Sequence, residues 1–173
     1  MNTGHFIDLV NGIPKRIYAI LHSTGVPDAN KLIRLDDTGS LSNTVLPVGI
    51  VADTEAVVTS ETLVANDLVQ IFDDVGTPKA RKADATAINK FQAVGFVVDN
   101  FNVAETALVY FEGRITGLSG LLAGTNMYLS ETPGQATSTA PSTPEAIVQR
   151  IGQAVSATTI SFERAVPVEL RDA

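Results

Sequence analysis

Forty-nine of the 173 residues are valine, isoleucine or threonine. Side chains branched at Cβ lose rotamer freedom on a helix and pack well on a pleated surface. Thirteen glycines and eight prolines cut these residues into short runs. Short apolar runs separated by turn signals predict a mainly β chain, built as a small antiparallel β-barrel or sandwich. No long amphipathic pattern competes with that reading, and Ser60 to Asn66 is the best short helical stretch.

Composition excludes several classes. With 45% hydrophobic and only 18% charged residues, the chain is not a disordered tail. It has no cysteine, so it is neither a disulfide scaffold nor a thiolate metal protein. A net charge of −7 argues against coating a phosphate backbone, so no nucleic-acid partner is expected. No apolar run is long enough to predict a transmembrane helix. The opening MNTGHFIDLVNGIPKR lacks a basic leader before an apolar core, so no secretory signal is read there. Synthesis in a cytoplasm is the default expectation.

Two segments are expected. Residues 1–50 read as an N-terminal arm with small hairpins, too poor in apolar area to fold alone. Phe6 to Val10 is a strand ended by the turn dipeptide Asn11-Gly12, and Pro14 to Leu21 follows with Ile17, Ala19 and Leu21 on one face. Lys31 to Leu35 is a further strand, Asp36 to Gly39 a tight reversal, Leu41 to Val45 a continuation, and Pro47 the end. Residues 51–173 read as the barrel-like domain. Asp67 to Phe72 is a strand and Asp73 to Gly76 its turn. Pro78 to Ala83 is an exposed, charged edge strand, because lysine at an edge discourages unwanted pairing. Asp84 to Asn89 reads as one helical turn and Ala93 to Val98 as a buried strand. Strands follow at 107–111, 114–115 and 127–129, with Gly117 to Gly124 as a glycine-rich loop. Thr132-Pro133-Gly134 suits a type II turn. Residues 136–146 read as a surface loop, and 148–157 with 159–163 as a closing strand pair.

The search for chemistry finds little. His5 and His22 are the only histidines, and neither sits in a nucleophile-elbow pattern. Asp36-Asp37 and Asp73-Asp74 lack the spacing of a calcium loop and read as turn caps. Gly117, Gly120 and Gly124 lack the lysine of a phosphate loop. No metal or cofactor is expected. Lys79, Arg81 and Lys82 form the only local excess of positive charge. Phe91, Phe96, Phe101, Tyr110 and Phe111 read as core aromatics. The residues alone therefore favour a binding or structural role over an enzyme. In an enzyme of cell-wall sugars, Glu112 beside Gly113 would be the first acid to test.

Four phrases occur in a recognisable order: NKLIRLDDTGSLSNTVLPVGI at 30–50, DLVQIFDDVGTPKARKAD at 67–84, ALVYFEGRITGLSGLLAGTNMYLSETPG at 107–134 and VQRIGQAVSATTISFE at 148–163. Together they resemble the capsid decoration, or cement, proteins of tailed bacteriophages. Similar modules occur in head-fibre and tail-associated proteins, whose role would be binding host-surface glycans. The decoration resemblance implies a non-enzymatic virion protein on the capsid exterior, with the major capsid protein as partner and a homotrimer at threefold or local threefold positions. It implies an arm that reaches a capsid subunit or a sister protomer. Phe6, Ile7, Leu9 and Ile13 are then candidate contact residues, together with Lys79, Arg81 and Lys82. The alternative for the arm is that these apolar residues cover their own domain.

Overall fold

The computed structural model describes residues 5–10, 13–28, 31–46 and 52–170. The chain divides into two units, residues 1–51 and 52–173. The expected turn at Asn11-Gly12 and the stop at Pro47 lie outside the described residues.

In the first unit, β1 (His5–Val10) and β2 (Ile13–Tyr18) form an antiparallel hairpin. Beyond it the expected strands shrink. Of Lys31 to Leu35, only Ile33 makes a β-bridge, parallel to Ile20. Two hydrogen bonds hold that bridge, Ile20 N–H to Leu32 C=O at 2.8 Å and Arg34 N–H to Ile20 C=O at 2.9 Å. Within Leu41 to Val45, residues Asn43–Val45 form a 3-10 turn instead of a strand. Local polar bonds decide this outcome, because Ser42 and Thr44 hydroxyls hydrogen-bond each other and nearby backbone. The reversal at Asp36 to Gly39 forms as read, with Asp36 capping it and Gly39 at φ 81°.

The second unit is mainly β and holds a closed five-stranded barrel. Its strands are β3 (Thr54–Thr59), β4 (Leu68–Asp74), β5 (Thr77–Lys82), β6 (Gly95–Phe96) and β7 (Thr106–Tyr110), in the order β3-β5-β4-β6-β7. Neighbours are antiparallel except β3 and β5, which close the barrel through a short parallel pairing at Val58–Lys79 and Thr59–Ala80. The mainly β, barrel-type fold is as expected, with this one parallel pairing added. One expectation is corrected: the charged strand at 78–83 is not an edge. It is paired on both sides, and its Ala80 is fully buried.

A second sheet of five strands follows: β8 (Gly113–Ile115), β9 (Asn126–Leu129), β10 (Ala136–Thr137), β12 (Arg150–Ser156) and β13 (Thr159–Phe162), in the order β10-β9-β12-β13-β8. A short pair joins β11 (Ile147–Val148) to β14 (Val168–Glu169). The loop expected at 136–146 thus begins as a sheet strand. Ser60 to Asn66 forms no helix, and Asp84 to Asn89 forms turns capped by the Asp84 carboxylate. The buried strand at 93–98 narrows to Gly95–Phe96.

Two apolar clusters explain the β-branched composition. Val57, Leu63, Val69, Ala80, Val97, Ala107 and Val109 form one, all but Leu63 and Val97 contributed by barrel strands. Leu68 and Phe96 of the barrel join Ile115, Leu129, Ile151 and Ile160 of the second sheet in the other. Neighbours on one strand, Leu68 and Val69, serve different clusters because successive side chains point to opposite faces. Phe96 anchors the join, stacked on Tyr110 at 5.6 Å and edge-on to Phe162 at 5.4 Å. At Gly152, where β12 bulges, a Cβ would collide with the Ser161 carbonyl, so only glycine lets β13 approach.

Candidate docking site

The first unit has no buried residue among those whose exposure is described. Several of its described apolar side chains are exposed, Ile7 at 71%, Ile13 at 62% and Val26 at 89%, with Leu32, Leu35 and Leu41 also exposed, while Ile20, Leu21, Val45 and Leu46 are half-buried. The second unit holds every buried residue described. A two-stranded hairpin standing alone is marginal in water.

Register sorts the hairpin residues. Phe6 pairs with Ile17, Asp8 with Lys15 and Val10 with Ile13. Directly opposed residues share a face, so these make up one face. His5–Tyr18, Ile7–Arg16 and Leu9–Pro14 make up the other. The four candidate contacts are therefore split. Phe6 and Ile13 sit on one face, Ile7 and Leu9 on the other. Each face thus combines apolar with charged positions, Asp8 and Lys15 on the first and Arg16 on the second.

The basic strand behaves differently from a free patch. Lys79 Nζ lies 2.6 Å from Asp74, and Lys82 Nζ 3.2 Å from buried Asp67. The Arg81 guanidinium stacks on Phe72 with 4.0 Å to the ring centroid, and it donates to Gln70 Oε1 at 2.9 Å and to the Asn89 carbonyl. All three cations have partners within the chain. Strand β4 supplies two of them, Gln70 directly opposite Arg81 and Asp74 diagonal to Lys79, and Asp67 in the loop before β4 supplies the third.

The acidic turns cap backbone. Asp36 Oδ1 accepts from Thr38 N–H at 2.9 Å and Ser40 N–H at 2.8 Å. Its carboxyl lies below the ordinary aspartate value, chiefly through the Thr38 hydroxyl. Asp28 is lowered further, first by the Lys31 ammonium at 2.7 Å and then by the Thr24 amide. His22 Nδ1 is 2.8 Å from Ser42 Oγ on an exposed surface, and Ser42 in turn meets Thr44. Among the described residues no group of three or more acids and histidines is arranged to hold a metal ion. No described helix is long and apolar enough to cross a membrane.

Glu112 lies with Arg114, Ser161 and Glu163 along an open groove of about 510 Å³ beside β8. Under the glycine-rich loop, Ile115, Met127, Leu118 and Leu121 line a hollow of about 380 Å³ whose rim carries Asn66 and Gln135. Sequence reading missed Val75. It is 99% exposed at φ 52° on the tip of the β4–β5 hairpin. Its signal was present, because valine stands where a two-residue hairpin turn calls for asparagine or glycine.

Searches against family models, curated proteins and solved structures gave no match to this chain.

Proposed function

We propose that the chain is a structural protein of a tailed-bacteriophage virion that binds the outside of the assembled capsid and stabilises it, as a trimer at threefold or local threefold positions. One observation carries the reading: a unit with a fully buried core is joined to a unit with exposed apolar side chains and no described buried residue. That division suits a clamp, with a rigid body on one part and a contact segment on the other. The ordered resemblance to decoration proteins adds its weight. The segment from Ile20 to Leu41, with Leu32, Ile33, Leu35 and Leu41 exposed, is assigned to the capsid surface.

A clamp that binds only the assembled lattice stabilises it by mass action. Shell subunits related by threefold symmetry present three equal sites, which a trimer fills at once. The absence of cysteine leaves packing, strand pairing and symmetry as the sources of durability.

The test mixes the purified full-length protein with undecorated capsids. Co-sedimentation and a raised capsid melting temperature support the reading. Electron microscopy of virions should then show hundreds of copies. Absence from virions, or the copy number of a tail component, overturns it. Binding to host-surface glycans without capsid binding would favour a head-fibre or tail module instead.

A further inference from the structure

We propose that the hollow under the glycine-rich loop at 117–124 binds an extended, uncharged segment of a partner protein. The hollow seats one leucine-sized aliphatic side chain, and the side-chain amides of Asn66 and Gln135 hold the segment's backbone. The site lies wholly in the second unit and does not rest on the capsid reading.

The loop builds the walls. Gly117 and Gly120, both at positive φ, bracket Leu118 and Ser119. Leu118 N–H donates to Thr158 C=O at 3.1 Å and Leu121 N–H to Ala157 C=O at 3.2 Å. The loop is thereby tied to the turn between β12 and β13. Ile115, Met127 and Ile160 line the hollow and are already buried. Leu118, Leu121 and Ala136 are half-buried, so they keep apolar area for an occupant to cover. A volume of about 380 Å³ is at the small end of ligand clefts.

The polar groups select the occupant. Asn66 Nδ2 donates to Thr116 C=O at 3.0 Å, and Gln135 Nε2 donates to Asp67 Oδ1 at 3.4 Å. Each bond fixes which end of the amide is nitrogen, because a carbonyl or carboxylate oxygen only accepts. What each amide keeps is its oxygen and its second N–H. That pair matches the N–H and C=O of a peptide backbone. The chain uses the same device inside its core. Gln149 Oε1 accepts the Ala93 N–H at 2.8 Å, and its Nε2 donates to the Ala93 C=O at 3.0 Å. Asn66 and Gln135 are held before an occupant arrives, which lowers the ordering cost of binding.

Charge narrows the choice further. No residue lining the hollow is charged or aromatic. A neutral lining favours an uncharged side chain, since an ion would lose its hydration without a counter-charge. No ring is present for a base to stack on, and none for the face of a sugar. The groove beside Glu112 also carries Arg114 and Glu163, and a smaller hollow beside Pro167 carries Arg164, so neither offers this neutral chemistry.

The experiment adds synthetic peptides to the full chain and follows the methyl resonances of Leu118, Leu121 and Met127. The probe is a pentapeptide of glycine with leucine at its centre and both ends capped. It should shift those resonances saturably. Peptides with alanine, glutamate or lysine at the centre should bind about tenfold more weakly or less. Asn66→Gly combined with Gln135→Ala keeps the positive φ at 66 and removes both amides. That variant should bind the leucine peptide about tenfold more weakly. Ala136→Leu leaves the amides and fills the hollow, so it should abolish binding. Resonances remote from the hollow report whether each variant is folded. No saturable shift, an equal response to the charged peptides, or full binding by Ala136→Leu overturns the proposal. A response to maltose without one to the peptide would make this a sugar site and overturns it too. So does a parent chain whose self-association, read by sedimentation, is dispersed by the leucine peptide, because the occupant is then a second copy.

Discussion

The carboxylate of Asp67, wholly buried, lies 3.2 Å from the ammonium of Lys82. Asp67 also accepts the Val64 amide at 2.8 Å and the Gln135 side-chain amide at 3.4 Å. One side chain therefore ties the loop before β4, the end of β5 and the turn at 132–135. A Cβ on Gly134 would stand 2.5 Å from its Oδ1, so the turn is packed against the carboxylate. Asp67→Ala removes one partner and leaves the Lys82 ammonium beside a cavity. Lys82 is partly solvated, which moderates the loss, and a destabilisation of about 2–4 kcal/mol is expected. Urea denaturation of the variant checks it. Gly134→Ala should destabilise as well, because φ is 78° there and the carboxylate blocks the methyl. An unchanged midpoint for Asp67→Ala would refute the role.

Gln149 is buried and completes a second polar bridge. Its Oε1 accepts the Ala93 N–H at 2.8 Å, and its Nε2 donates to the Ala93 carbonyl at 3.0 Å and the Ala165 carbonyl at 3.2 Å. The side chain acts as a strand partner for a residue that has none of its own. Gln149→Leu keeps much of the volume and strands one donor and two acceptors. A loss of about 2–4 kcal/mol is expected from unfolding curves. Gln149→Glu should restore part of it at low pH only, when the protonated acid can both donate and accept.

Val75 runs in the opposite direction. A β-branched residue at positive φ is strained, and full exposure gives it no packing in return. Val75→Asn or Val75→Gly at the β4–β5 tip should stabilise the chain by about 1 kcal/mol. Thermal unfolding reads this as a higher midpoint. A lower midpoint would show that the valine makes a contact the monomer lacks.

The turn at Asp36 gives a pH prediction with a definite sign. Its folded-state pKa is below the ordinary value of 3.8, because the ionised form accepts three hydrogen bonds. A lowered folded-state pKa contributes stability above the unfolded value. That contribution is lost as pH falls through the lower, folded value. The Thr38 and Ser40 amide resonances should therefore move on acidification with a midpoint below 3.8. A titration midpoint at or above 3.8 would contradict the capping geometry.

Periodicity and turn chemistry made the second unit legible. Asp67 to Phe72, Ala107 to Phe111 and the pair at 148–157 and 159–163 read as strands because apolar, β-branched runs end at Asp-Asp-x-Gly, Glu-Gly and Ala-Thr. Closure did not show, since the Val58–Lys79 pairing is parallel and joins residues with no local signal between them. That is why Lys79, Arg81 and Lys82 read as an edge and as free cations. Their partners, the carboxylates of Asp74 and Asp67 and the neutral amide of Gln70, stand on another strand or a loop. In the first unit local hydroxyls at Ser42 and Thr44 outweighed a weak strand pattern, because no buried face was available to enforce it. The split of Phe6 and Ile13 from Ile7 and Leu9 needed the hairpin register, which sequence alone did not supply.

Deleting residues 1–51 separates the two roles. All described buried residues and both apolar clusters lie in 52–170. The truncated chain should unfold in one cooperative transition, with a midpoint within a few degrees of the parent, because it loses no core contact. It should lose capsid binding. Deleting 1–19 alone removes the hairpin and spares the exposed Leu32, Ile33, Leu35 and Leu41, so that chain should keep measurable capsid binding. Calorimetry, sedimentation and capsid pull-down distinguish these outcomes. Full-strength capsid binding by residues 52–173 would place the contact surface on the second unit and overturn the assignment of the first.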